Sequence, residues 1–322
     1  MKQRLVLLSF VLSLAIMVAK FYVYFLSGST TLLTDALESI INVVAACFAY
    51  YSIYLASLPK DLNHPYGHGK IEFFASGLEG VLILLAAAYI FLHASQHLYT
   101  SPELKSLDVG MAVSFISAAV NGLMGYFLVQ KGRSSHSPAL IADGKHLRLD
   151  AYNGILVVAA LALTNFTHWF WVDSVASFLF AGFMCWQGVH LIRESVAALM
   201  DETNPALFQK VTDWVVANKK EEWIDLHNLR VQQYGGDLHI DCHVTLPYYF
   251  DLNTVHQEIS AIDKLINQSV NHQTELFIHA DPCLPACCHY CKMENCPVRA
   301  EAFRAEIKWN MENVTKNQKH FQ

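Results

Sequence analysis

The sequence predicts an α-helical membrane protein with six spanning helices and a small soluble α+β domain. Of its 322 residues, 53% are hydrophobic and only 16% carry charge, and the mean hydropathy is +0.27. A purely globular chain carries more charge. Several apolar runs reach the roughly 20 residues that a helix needs to cross a bilayer. After Asp201 these runs give way to a mixed segment, which indicates the soluble part.

The apolar runs place the membrane domain within residues 1–200. The first run, from Leu5 to Leu26, is long enough to span and has no clear cleavage site after it, so we expect it to be retained. The six predicted spans are 4–27, 32–57, 71–98, 107–130, 140–165 and 169–197.

Positive charges are unevenly distributed between the two sets of loops. Lys105 stands nearly alone on one side. The other side carries Lys2, Arg4, Lys60, Lys70, Lys131, Arg133 and Lys145, with Arg193 near the end of the last span. Because basic residues concentrate in cytoplasmic loops, we expect both termini in the cytoplasm and a multi-pass protein of the inner or plasma membrane.

Two of the predicted spans carry ionisable side chains at membrane depth. His146 and Asp150 are four residues apart and therefore share one helix face, and Asp35, Glu38 and Asn42 recur at helical spacing in the second span. Such groups are costly in a bilayer and usually functional. The two polar faces suggest one shared site, although His146 and Asp150 could also simply pair with each other. Lys20 is expected to snorkel or to pair with an acidic neighbour such as Asp35.

The soluble domain, predicted for 201–282, follows an α-β-β-α-β order that suggests an open-faced sandwich. On the strand 238–246, Leu238, Ile240, Cys242 and Val244 alternate with His239, Asp241 and His243, so one face should belong to the core. The predicted elements are helices at 205–219 and 252–267 and strands at 226–233, 238–246 and 274–279.

Composition and motifs exclude two other classes of protein. The net charge of −6 and the pI near 6.2 give no basic surface for nucleic acid, and no basic run interleaved with aromatics occurs. An intramembrane metalloprotease would carry H-E-x-x-H or an equivalent nucleophile and base, and the sequence has neither.

Four segments together resemble the cation diffusion facilitator family, over roughly residues 4–283. They are TDALESIIN at 34–42, HPYGHGK at 64–70, ADGKHLRLD at 142–150 and HADPC at 279–283. The resemblance implies a six-helix antiporter that exchanges divalent metal ions for protons, with a ferredoxin-like cytoplasmic domain. It also implies a homodimer.

The resemblance implies a transport site made of Glu38 and Asn42 with His146 and Asp150. Family members usually have a carboxylate where this chain has Asn42, and His or Asp where it has Glu38. The site would therefore hold two formal negative charges rather than three. Asp35 and Asp143 precede Glu38 and His146 by one turn, and either could supply a missing charge or a proton route.

One imidazole with oxygen donors suits a divalent ion of borderline softness. Zn²⁺, Fe²⁺, Co²⁺ and Cd²⁺ all fit, whereas an oxygen-only site would favour Mn²⁺ or Mg²⁺. His146 also suits proton exchange, because an imidazole titrates near neutral pH and must be deprotonated to bind metal. A metal-gated channel or a metal sensor would use similar ligands without proton coupling.

The resemblance also implies sites outside the membrane. Asp61, His64 and His68 match a loop site, although the same residues fit a solvated loop that binds nothing tightly. Lys70 and Asp201 match a charge pair between the membrane and soluble domains. A binuclear zinc site beside the dimer interface would be formed by His227, His243, His256, His279 and Asp281. His239 and Asp241 do not match this site and are expected on an exposed strand face.

The cysteines concentrate in a cytoplasmic tail, 283–322, which the resemblance does not explain. Cytoplasmic placement disfavours disulfides. Cys288 and Cys291 form a C-x-x-C pair, which Cys283, Cys287 or Cys296 could complete as a four-thiolate zinc site, and a reduced metal-free tail is the alternative. The chain from Lys316 onward is expected to fray.

Overall fold

A computed structural model describes residues 2–100, 106–167, 169, 171–269 and 273–320. The chain separates into two compact units, Met1–Met200 and Asp201–Gln322.

Six long helices make up the described part of the first unit. Each is long and apolar enough to cross a membrane, which confirms the predicted six-helix arrangement. Their bounds are α1 Lys2–Ser27, α2 Thr30–Ala56, α3 Ile71–Thr100, α4 Leu107–Ser134, α5 Pro138–Thr167 and α6 Trp171–Leu199.

Buried carboxylates from other helices cap the starts of α2 and α5. Asp173 of α6 accepts hydrogen bonds from the Thr30 backbone N–H at 2.7 Å and from the Ser29 hydroxyl at 2.5 Å. Glu72 of α3 accepts from the Ser137 hydroxyl at 2.5 Å and from the Ala139 N–H at 3.2 Å. A negative charge at a helix N-terminus satisfies free N–H groups and complements the helix dipole. These contacts fix the two helices that carry the predicted transport residues.

Glycines bring two helix pairs into backbone contact. A Cβ added at Gly80 of α3 would lie 2.9 Å from the Gly188 carbonyl oxygen of α6, and one at Gly188 would lie 2.9 Å from the Gly80 carbonyl oxygen. The α4–α5 pair is equally close, since a Cβ at Gly125 would lie 2.7 Å from the Gly144 carbonyl oxygen. Any larger residue would push these backbones apart.

A buried ion pair joins α1 to α2. The Lys20 ammonium lies 2.6 Å from Asp35 Oδ1, and both side chains are almost completely buried. Asp35 Oδ2 also accepts a hydrogen bond from the Ser114 hydroxyl of α4 at 2.8 Å. The pairing of Lys20 with Asp35 expected from the sequence is confirmed, and Asp35 is thereby neutralised within the bundle.

The second unit has the predicted α-β-β-α-β order. Its sheet runs β1-β2-β3, with β1 antiparallel to β2 and β2 parallel to β3 across the α8 connection. A two-residue turn at Gly235, with φ +63°, joins β1 to β2. The elements are α7 Pro205–Ala217, β1 Asp225–Tyr234, β2 Asp237–Leu246, α8 Leu252–Ser269 and β3 Gln273–Pro282.

The core of this unit lies on one face of the sheet, as the alternation in β2 predicts. Leu238, Ile240, Cys242 and Val244 are buried there, against α7 and α8. The expectation that His239 lies exposed on the opposite face is wrong. Its ring packs 4.5 Å from that of Tyr234, and Nδ1 lies 3.3 Å from a Glu275 carboxylate oxygen, so neighbouring strands cover it.

The chain end is also more ordered than the sequence suggests. After a 3-10 turn at Pro285–His289, the chain returns to the core, where Trp309 and Val314 are buried. The Lys316 carbonyl oxygen accepts a hydrogen bond of 2.8 Å from the Asn228 N–H. Asn228 adopts φ +51° beside a bulge in β1, which frees that N–H from the sheet. The expectation of fraying from Lys316 is therefore wrong for the described residues up to His320.

Candidate metal centres

The predicted transport residues lie where α2 and α5 meet. The Asn42 amide donates a 2.6 Å hydrogen bond to Asp150 Oδ2, and His146 Nδ1 lies 3.6 Å from Asp150 Oδ1. All three side chains are buried. The helical spacing of His146 and Asp150 therefore does put them on one face, and that face meets α2.

Two amides that the sequence analysis did not single out support these residues. Asn153, one turn after Asp150, donates to Glu38 Oε1 at 3.2 Å. Gln187 of α6 lies 2.6 Å from His146 Nδ1. Their positions within predicted spans could have indicated two buried amides, but the residues that they bind lie on other helices, which the local sequence does not reveal. Glu38 is thus held by Asn153 rather than by the other three predicted ligands.

Three atoms of ligand type at this position lack a hydrogen-bond partner in the part of the chain that the structure describes. They are Asn42 Oδ1, His146 Nε2 and Asp150 Oδ1, and each is inaccessible to solvent. Leaving such an atom unsatisfied costs about 1–3 kcal/mol. An arrangement of one imidazole nitrogen and two oxygens can instead coordinate a cation.

Two further carboxylates lie buried near this position on α3 and α5. Neither oxygen of Asp143 accepts a hydrogen bond from the described residues, and the same is true of Glu79 Oε1. Asp35, in contrast, is bound by Lys20 and Ser114. Of the two predicted auxiliary carboxylates, Asp143 is therefore the one with free acceptor atoms.

The loop after α2 brings its three predicted ligands together. Asp61 Oδ1 lies 3.1 Å from His64 Nδ1, and Asp61 Oδ2 lies 3.4 Å from His68 Nε2. One ligand atom from each residue falls within 4.8 Å of the others. Backbone hydrogen bonds from His64 and Asn63 lower the pKa of Asp61, so its carboxylate stays charged. Asp61 and His64 are exposed, which makes this site open to solvent.

The sheet register aligns three histidines in the second unit. His227 of β1 pairs with His243 of β2, which pairs with His279 of β3. Asp281 follows two residues after His279 on the same strand face, and its Oδ2 lies 3.3 Å from His227 Nε2 and 3.4 Å from His243 Nδ1. His227, His243 and Asp281 offer ligand atoms within 4.8 Å of one another.

A second carboxylate orients the His227 ring. Asp225 Oδ2 lies 3.5 Å from His227 Nδ1, which directs Nε2 toward Asp281. Burial by itself would raise the pKa of Asp225, but hydrogen bonds from His227 and His320 hold that pKa well below its usual range. Burial and the neighbouring His227 ring lower the pKa of His243, which favours the neutral imidazole that a metal ion requires.

Of the two other predicted ligands, His279 and His256, only His279 is seen to border this cluster among the described residues. The exposed ring of His279 lies 4.7 Å from that of His243, and its Nδ1 is 3.5 Å from Asp281 Oδ1. His256 lies exposed on α8 and does not join the ligand group formed by the described residues. The Lys319 ammonium is 3.6 Å from Asp281 Oδ1, so the chain end also reaches this cluster.

The five cysteines after β3 border one cavity of about 190 Å³. Cys287 and Cys291 are buried, whereas Cys283, Cys288 and Cys296 are partly exposed. Within the described ranges, no three of their sulfur atoms form a ligand group as close as those of the histidine sites.

We expect Asp281→Asn to weaken Zn²⁺ binding at the histidine cluster by roughly 10- to 100-fold or more, because the change removes a charged ligand that both rings face. Competition titration of the purified full-length protein with a zinc-sensitive dye would measure it. Asp263→Asn changes a half-buried carboxylate on α8 that accepts from the Asn267 amide, so it is the matched control and should leave the titration unchanged. Identical titrations for the Asp281 variant and the native protein would contradict the assignment.

The fold and these residues define a class: a multi-pass membrane protein with buried polar side chains in its bundle and a group of His and Asp side chains in its soluble unit that could hold a metal ion. The chain belongs to the cation diffusion facilitator family. Residues 6–200 match the family's cation efflux transmembrane domain, and residues 207–283 match the cation efflux protein cytoplasmic domain. The protein is therefore a cation efflux transporter and not an enzyme.

Relatives from several bacteria match along most of their length. The chain is 35% identical over 272 residues to an uncharacterized transporter of Synechocystis, covering 84% of this chain and 87% of that protein. It is 26% identical to the cation-efflux pump FieF of Shewanella oneidensis, covering 84% and 90%. It is 23% identical to the manganese efflux system protein MneP of Bacillus subtilis, covering 87% and 96%.

Proposed function

We propose that this protein exports a divalent transition-metal ion from the cytoplasm in exchange for protons. The observation that carries the proposal is the set of three buried ligand atoms without hydrogen-bond partners among the described residues, on Asn42, His146 and Asp150. The three residues lie together where α2 meets α5, in a unit whose helices are long enough to span a membrane. Buried ligands of this kind at membrane depth are typical of ion pathways.

The donor set supports an ion of borderline softness. One imidazole with amide and carboxylate oxygens suits Zn²⁺, and Fe²⁺, Co²⁺ and Cd²⁺ fit as well. Glu38 completes the set once its carboxylate leaves Asn153. Two relatives are named for cation efflux and for manganese efflux, so manganese belongs among the substrates to be tested.

His146 supplies the proposed proton exchange. Its Nδ1 is held by Gln187, which leaves the buried Nε2 free to carry a proton or to bind the metal ion. A neutral ring binds metal through Nε2 with its one proton on Nδ1, so loading the ion releases a proton when the ring starts as the doubly protonated imidazolium. Asp143, whose oxygens are buried without donors among the described residues, is the proposed acceptor for protons moving to and from the site.

The remaining features fit the same transporter. We place the protein in the plasma or inner membrane as a homodimer, with both termini and the soluble unit in the cytoplasm. The His227–His243–Asp281 cluster would then bind cytoplasmic Zn²⁺, with His256 and His279 as further ligands. The loop residues Asp61, His64 and His68 would bind metal near the membrane surface.

The test is metal flux into proteoliposomes under an imposed proton gradient. Purified protein is reconstituted, Zn²⁺, Fe²⁺, Co²⁺, Cd²⁺ and Mn²⁺ are supplied in turn, and internal metal and pH are recorded together. We expect metal movement that is accelerated by an opposing proton gradient and matched by a change in internal pH. Flux that ignores the gradient would instead identify a metal-gated channel, and metal binding without flux would identify a sensor.

A further inference from the structure

The cysteine-rich segment between β3 and the returning chain forms a small folded unit with a cavity at its centre. Its cysteines all border this cavity, together with apolar residues such as Ile224 and Val298. Cys287 and Cys291 are buried against Ile224, with Cys283, Tyr290 and Met293 packed around them. Five thiols around one cavity in a reducing compartment suggest metal binding rather than disulfide formation.

Arg299 holds the segment in this shape. Its guanidinium group donates hydrogen bonds to the carbonyl oxygens of Met293 at 2.6 Å, Cys291 at 3.0 Å and Cys288 at 3.2 Å. The Lys292–Glu306 ion pair, at 2.7 Å, closes the segment further. The nearby imidazole of His289 is bound by Glu301. The thiols are therefore the ligand side chains left facing the cavity.

Backbone N–H groups point at several of these sulfur atoms. The Leu284 N–H donates to Cys287 Sγ at 3.2 Å. Backbone hydrogen bonds also run from Tyr248 to the Cys283 thiol and from Met293 to the Cys291 thiol. Burial raises the pKa of Cys283, Cys287 and Cys291, so a metal ion that binds here displaces the thiol protons, and the backbone N–H groups position the sulfur atoms. The three N–H groups belong to Tyr248, Leu284 and Met293, which come from different parts of the chain and all line the cavity.

We propose that this cavity binds one Zn²⁺ ion through Cys283, Cys288, Cys291 and Cys296. The four ligands are spaced C-x4-C-x2-C-x4-C, and the closed four-thiolate set is that of a structural zinc site without an open position for transport. Three of the four are partly exposed and can rotate their sulfur atoms inward. Cys287 is left out, because its sulfur already accepts the Leu284 N–H and its neighbour Cys288 supplies the C-x2-C pair with Cys291.

The site differs from the transport and histidine sites in having only thiolate ligands. Thiolate ligands favour Zn²⁺ or Cu⁺ and disfavour Mn²⁺. The ion would be resident, joining the end of β3 to the returning segment that carries Trp309. This zinc site does not depend on the proposed transport activity, so an experiment can disprove either proposal without disproving the other.

The test uses Co²⁺ as a spectroscopic substitute for zinc in full-length protein carrying Asp281→Asn, which weakens the histidine cluster. We expect one Co²⁺ per chain to give intense sulfur-to-metal charge-transfer absorption, which Zn²⁺ abolishes. Cys288→Ser and Cys296→Ser should each remove most of that absorption and about one zinc per chain from the metal content measured by mass spectrometry.

Cys287→Ser is the matched control, because it removes a neighbouring thiol that the proposal excludes. It should keep both the absorption and the bound zinc. Absorption lost in Cys287→Ser but retained in Cys288→Ser would overturn the ligand assignment. Absence of charge-transfer bands in the parent protein, or the visible spectrum of an iron–sulfur cluster as purified, would overturn the zinc site itself.

Discussion

Asp150→Asn is expected to reduce metal flux in proteoliposomes to background. The change keeps the size of the side chain and an oxygen that can accept from Asn42, but it removes one of the site's two formal negative charges. Loss of a supporting group costs roughly 10- to 100-fold in metal affinity, and loss of a charged ligand should cost more. The measurement is the initial rate of Zn²⁺ uptake under a proton gradient.

The control for this variant is Asp108→Asn. Asp108 is an exposed carboxylate in the first turn of α4, 3.4 Å from the Asn165 amide, and it lies outside the proposed site. Its flux should match that of the native protein. Both variants must elute as the native protein does in size-exclusion chromatography. Flux retained in well-folded Asp150→Asn would contradict the transport site.

Lys20→Met is expected to destabilise the protein by about 3–5 kcal/mol, because it leaves the Asp35 carboxylate buried without its counter-ion. The Ser114 hydroxyl would remain its donor, and one neutral hydrogen bond cannot replace an ammonium group. The measurement is unfolding of the purified protein by a denaturing detergent in mixed micelles, followed by circular dichroism.

A double variant separates the ion pair from simple packing. Lys20→Met/Asp35→Asn removes both charges and keeps the Ser114 hydrogen-bond partner, so most of the lost stability should return. Neither residue contributes to the proposed ligand set. If the single and double variants are equally destabilised, the Lys20 side chain does not stabilise the fold by compensating the buried charge of Asp35.

The features that could be predicted are mostly those that a run of neighbouring residues encodes. The six spans follow from apolar length, and the buried face of β2 follows from strict alternation through Leu238, Ile240 and Cys242. The pairing of Lys20 with Asp35 could be predicted because a charge at membrane depth demands a partner, and Asp35 was available.

The features that escaped prediction depend on contacts between distant segments. Gln187 reaches His146 from another helix, and nothing in the sequence around either residue encodes that distance. His239 is covered by Tyr234 and Glu275 of neighbouring strands. The polar chain end looks disordered by composition, yet Trp309 and Val314 are buried in the core, with Ile307 and Met311 packed beside them.

The glycine contacts between helices also limit how the bundle can move. Because α4 touches α5, and α3 touches α6, through their backbones, neither pair can slide or tilt internally without separating atoms already at van der Waals distance. The Lys20–Asp35 link similarly couples α1 to α2. The bundle thus contains three closely packed helix pairs, and fewer contacts, among them Asp173 with the start of α2 and Glu72 with the start of α5, join the pairs to one another. His146 and Asp150 belong to one pair, Asn42 to another and Gln187 to the third. When the pairs move against one another to change which side of the membrane has access, we expect the distances between these residues of the proposed metal site to change.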